Sequence, residues 1–101
     1  MLSVQLQVIG GLNVLTLRGE LCATSIPALE SYLDQLGSLP FRGVLLDVSE
    51  VTRLDPVGAR VVIGMRHYVE ARGSSLMVRG AGEAIRITLA DADNLARHGV
   101  A

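Results

Sequence analysis

The chain has 101 residues, half of them hydrophobic, 19% charged and 3% aromatic, with a net charge of -1. That length suits one small domain with a single aliphatic core, so residues 1–101 are expected to form one domain. The nine basic residues are scattered, which argues against a nucleic-acid or anionic-membrane surface, and no apolar run approaches the ~20 residues of a membrane span.

Met1 to Gly11 carries no basic residue and does not read as a secretory signal. Cys22 is the only cysteine, which excludes an internal disulfide and fits a reducing compartment. The expected location is therefore the cytoplasm.

Ser3 to Ile9 alternates, with Val4, Leu6 and Val8 opposite Gln5 and Gln7, as in a half-buried strand. Gly10-Gly11 reads as a turn and Asn13 to Arg18 as a second strand, so the chain opens with a hairpin. Gly19 to Thr24 reads as a connection. Ser25 is placed to cap a helix whose first turn tolerates Pro27. Ile26, Leu29, Leu33 and Leu36 follow helical spacing, with Gly37 as the stop and a loop from Ser38 to Gly43.

Val44-Leu45-Leu46 is apolar on both faces, as in a central strand expected to end near Val48. A short loop then leads to Asp55, a good N-cap acceptor, and to Pro56, which fits a first helical position where no amide hydrogen is needed. The helix is expected to run to about Arg72, with Gly58, Val61, Val62, Met65 and Val69 on its core stripe. Arg60, Ile63, His67 and Glu70 fall on the opposite face, so Ile63 is expected to be exposed.

Ser75 to Arg79 reads as a fourth strand, Gly80-Ala81-Gly82 as a turn and Glu83 to Ala90 as a short helix. The tail from Asp91 to Ala101 has Leu95 as its anchor and room for one more short helix. The expected order is β-β-α-β-α-β-α. The central strands are parallel and the opening hairpin antiparallel.

Several motifs together resemble the STAS family, whose best-known members are bacterial anti-sigma factor antagonists. They are Gly19-Glu20-Leu21 before the first helix, Ser25, Pro27 and Leu29 at its start, and Leu46-Asp47-Val48-Ser49 ending the third strand. Leu54-Asp55 and Gly58 fit the family's phosphorylation loop, and Ala71-Arg72-Gly73 and Leu76-Met77-Val78 fit the following helix stop and strand. The resemblance implies an α/β sandwich with a mixed sheet of four or five strands and helices mainly on one face.

Three positions depart from the family pattern. Val57 stands at the serine or threonine that a partner kinase phosphorylates, Cys22 at an aspartate, and Ala90-Asp91-Ala92 at a Thr-Gly-Leu. The expectation is a protein-binding domain with no phosphorylation at its usual position.

The resemblance implies a partner of the anti-sigma factor or serine-kinase-like ATPase class. The other role it leaves open is an accessory subunit on the ATPase of an ABC transporter of the phospholipid type, or a scaffold in a signalling complex. A homodimer stays open as well. The expected partner-binding residues are Cys22, Ser25, Thr52, Asp55, Pro56, Val57, Gly58, Arg60 and Ile63.

No catalytic residues, metal ligands or cofactor are expected, and so no enzyme. His67 and His98 have no neighbours at metal-ligand spacing. Gly80-Ala81-Gly82 lacks the third glycine of a dinucleotide loop, because that position is Ile85. No nucleophile, base and acid fall into a catalytic arrangement. Cys22 has no basic residue close by in sequence and reads as an inert loop residue.

Overall fold

A computed structural model describes residues 2–38 and 43–97. The order is β1 (Leu2–Ile9), β2 (Leu12–Leu21), a 3-10 turn over Ala23–Ser25, α1 (Ile26–Ser38), β3 (Val44–Leu54), α2 (Pro56–Ala71), β4 (Leu76–Arg79) and α3 (Glu83–Arg97). The strands form one four-stranded sheet in the order β1-β2-β3-β4. β1 and β2 are antiparallel, and β2–β3 and β3–β4 are parallel. The expected sandwich, hairpin and central third strand are all present.

The hairpin turns through Gly10 and Gly11 at φ of 58° and 81°, the left-handed pair that a two-residue connection needs to match strand twist. Its register sets Val4 opposite Leu17 and Leu6 opposite Leu15. Leu15 lies beside Leu46, which lies beside Val78, so one apolar row crosses all four strands. That face is covered by the helices, and Leu15, Leu17, Leu29, Leu46, Val62 and Val69 form one buried cluster. The opposite face carries the polar row Gln5, Thr16, Asp47, Arg79. There Arg79 Nη2 donates to Asp47 Oδ2 at 2.8 Å.

Four expectations are corrected. The stretch after Val48 is not a loop: β3 continues to Leu54, still paired with β2. Register shifts between Thr16/Arg18 and Gly19/Glu20 interrupt the ladder. Two consecutive exposed residues, Ser49 and Glu50, follow, and alternation is lost where the strand bulges. β2 is likewise longer, through Leu21.

Next, α1 passes through Gly37 to Ser38, so that glycine does not stop it. The loop expected at 39–42, the side chains of Leu33 and Leu36, and the tail from His98 lie outside the described residues.

Third, Glu83 to Arg97 is one continuous helix, and Leu95 is 47% exposed rather than an anchor. Leu89 and Ala92 are the buried residues of α3.

Fourth, Ile63 is 3% exposed. The single-stripe reading of α2 assumed contact with the sheet alone. α2 also packs against α3, and Ile63 lines the join between them with Leu89. A helix with two packing neighbours buries two stripes, here also including Ala59.

Candidate functional site

The end of β2, the end of β3 and the start of α2 meet at one corner. Leu21 and Leu54 are register partners, and the Asp55 amide donates to the Leu21 carbonyl at 3.3 Å. The approach is close enough that a Cβ on Gly58 would run into the Leu21 carbonyl. Glycine at this position is therefore a packing requirement.

Asp55 adopts extended backbone as the N-cap of α2, with Pro56 at the first helical position. Its carboxylate accepts from two segments at once. Oδ1 takes the Gly58 amide at 2.7 Å, and Oδ2 takes the Ala23 amide at 3.3 Å across 32 residues of sequence. These bonds hold the Asp55 carboxyl below the usual carboxylate range, the Gly58 amide contributing most. Around this centre the Thr52 hydroxyl donates to the Gly19 carbonyl at 3.2 Å, and Arg53 pairs with Glu20 at 3.4 Å. The loop before α1 and the start of α2 are thus joined into one surface.

The expected partner residues separate into three groups on this surface. Thr52, Pro56, Val57 and Arg60 are exposed, Val57 at 38%. Cys22 and Asp55 are half-buried. Ser25, Gly58 and Ile63 are buried, the last beneath α3.

Ser25 is not the simple helix cap that its sequence position suggests. It ends the 3-10 turn, and its Oγ accepts the Cys22 amide and donates to the Cys22 carbonyl, both at 2.9 Å. Cys22 Sγ lies 3.2 Å from the Thr24 hydroxyl. That contact leads the causes lowering the thiol's pKa from its ordinary value.

Sequence reasoning missed the contribution of α3. A groove of about 270 Å³ beside the α2 start is lined by Leu54, Pro56 and Arg60 on one side and Thr88, Asp91 and Leu95 on the other. The only sequence signal was the helical spacing of 88, 91 and 95, hidden by the expected break near Ala90. Among the described residues, no group of three His, Cys, Asp or Glu side chains could hold a metal ion, and no helix is long and apolar enough to cross a membrane. The arrangement presents a capped helix start with backbone amides, aliphatic surface and two exposed arginines, Arg60 and the Glu20-paired Arg53.

The sequence model of the STAS domain matches residues 3–97. No curated protein matches the chain. Among solved structures, the chain is similar to RsbS of Moorella thermoacetica (TM-score 0.76, 22% identity, covering 88% of this chain and 76% of that one). It is also similar to an anti-sigma factor antagonist from Mycobacterium paratuberculosis (0.73, 21%, 93% and 81%). A third is the anti-sigma factor antagonist SpoIIAA in its unphosphorylated form (0.70, 14%, 98% and 100%). At these identities the likeness is one of fold.

Proposed function

The chain belongs to the STAS domain family, and from that premise we propose that it is a non-enzymatic, cytoplasmic regulatory domain of the anti-sigma factor antagonist type. Its partner is an anti-sigma factor or serine-kinase-like ATPase, bound at the exposed start of α2. Pro56, Val57 and Arg60 make the contact, with Leu95 and Asp91 of α3 at its edge. Asp55, Ser25 and Gly58 set the shape of that surface from beneath. Two of the structural neighbours named above carry the antagonist description, which supports the class of partner.

The observation that carries the reading is Val57. It is exposed at the second position of a well-capped helix, where the family resemblance places the phosphorylated hydroxyl. An unphosphorylated antagonist binds its partner, and phosphate adds nearly two negative charges that break the contact. Valine accepts no phosphate, so this chain stays in the binding state.

The hydroxyls of Ser25, Ser49 and Thr52 do not offer an easy replacement. Ser25 is buried and doubly bonded to Cys22, and the Ser49 hydroxyl donates to Asp47 at 2.7 Å. Thr52 is exposed but lies within β3 with its hydroxyl on the Gly19 carbonyl.

Affinity purification of the tagged chain from its native cells, followed by labelled-ATP incubation with the recovered protein, tests this. The expected result is an anti-sigma factor or kinase-like ATPase that binds stoichiometrically and leaves the chain unlabelled. Recovery of a transporter ATPase instead would overturn the sigma-control reading. Phosphate on Thr52 would show that the switch has moved rather than vanished.

A further inference from the structure

The crossing of α3 over α2 leaves a second cleft, of about 450 Å³, on the flank of α3 opposite the α2 start. Its floor is aliphatic: Ile63 of α2, Val78 of β4 and Leu89 of α3. Arg66 and Arg86 line it from the two helices. Neither belongs to any of the three ion pairs formed among the described residues. The cleft's one carboxylate, Asp93, is engaged in an interaction of its own.

The site thus combines an apolar floor with a surplus of positive charge. Two arginines are too few for a nucleic-acid or anionic-membrane footprint, which needs many cations along one surface. They do suit paired carboxylates, which a guanidinium binds in fork geometry.

We propose that this cleft docks an acidic, leucine-bearing segment of a protein partner. The aliphatic side chain rests on Ile63, Val78 and Leu89, and the flanking carboxylates pair with Arg66 and Arg86. The site is separate from the start of α2 and does not depend on the function proposed for that surface.

The test is an amide-shift titration of the isotope-labelled full chain with the capped peptide Glu-Leu-Glu-Leu-Glu and with Lys-Leu-Lys-Leu-Lys. The acidic peptide is expected to bind with a Kd of about 1 mM or tighter. It should move amides at 63–66, 80–82 and 86–90, leave 55–58 in place and exceed the lysine peptide at least tenfold in affinity. An Arg66→Glu/Arg86→Glu double variant is expected to reverse that preference. If the double variant fails to fold, the comparison of the two peptides on the unaltered chain decides alone. Equal affinity for both peptides, no binding at about 5 mM, or shifts centred on 55–58 would overturn the proposal. Inorganic phosphate moving the same amides equally well would also overturn it, by showing a site for small anions.

Discussion

The Asp55 carboxylate accepts two backbone hydrogen bonds from segments 32 residues apart, so its removal releases both. Asp55→Ala is expected to lower Tm by about 4–8 °C, the size of shift that follows loss of a good N-cap in a chain this long. Amide exchange should quicken at Ala23 and Gly58 together. Quickening at Gly58 alone would show that Asp55 caps the helix without joining the loops. A second residue-scale prediction follows from burial. Ile63→Glu replaces a buried aliphatic side chain between α2 and α3 with a charge and should cost about 2–4 kcal/mol in a urea melt. An unchanged midpoint would return Ile63 to the surface.

At the scale of elements, the sheet's uncovered face is tied by a row that the central strand anchors. Asp47 accepts from the Ser49 hydroxyl and amide and from Arg79. These bonds, the Ser49 hydroxyl first, lower its pKa from 3.8 to about 2. A folded-state pKa below the unfolded value contributes stability that is complete above the carboxylate range and is lost as pH falls through about 2. Solvent around the exposed Arg79 reduces the effect, so Asp47→Asn is expected to cost about 1–2 kcal/mol at neutral pH. The difference between variant and wild type should shrink below about pH 5 and be gone only near about pH 1, below both pKa values. A difference independent of pH would assign the loss to packing.

How legible each element was depended on whether its pattern was local. The hairpin, the capped start of α2 and the central Val44–Leu46 segment were all readable, because glycine pairs, N-caps and apolar runs act within a few residues. The length of β3 was not, because register shifts at Val48–Ser49 and at Thr52 break the alternation that marks a strand, and only pairing with β2 shows that the strand continues. Ile63 was misplaced for a related reason. Its burial depends on α3, whose crossing is a tertiary fact absent from the helical spacing of α2. At the candidate site Asp55, Pro56 and Val57 were legible, whereas Leu95 and Asp91 were not, since they reach the corner only through that crossing.

At the scale of the molecule, the proposed function sets a family scaffold around a position that, by the family resemblance, would carry the phosphate and here is valine. The elements that shape the corner, Asp55, Gly58 and the bulged end of β3, are all in place around a residue with no hydroxyl. Charge at that residue should therefore separate binding from folding. An aspartate at the second position of α2 suits the positive end of the helix, so Val57→Asp should leave Tm equal or slightly higher. The same charge stands in for a phosphate at the surface proposed to meet the partner. Isothermal titration of wild type and Val57→Asp against the purified partner measures this most directly. The account predicts affinity at least tenfold lower for the variant, or about 1.4 kcal/mol, at undiminished Tm. Equal affinities would contradict it and place the interface away from the start of α2.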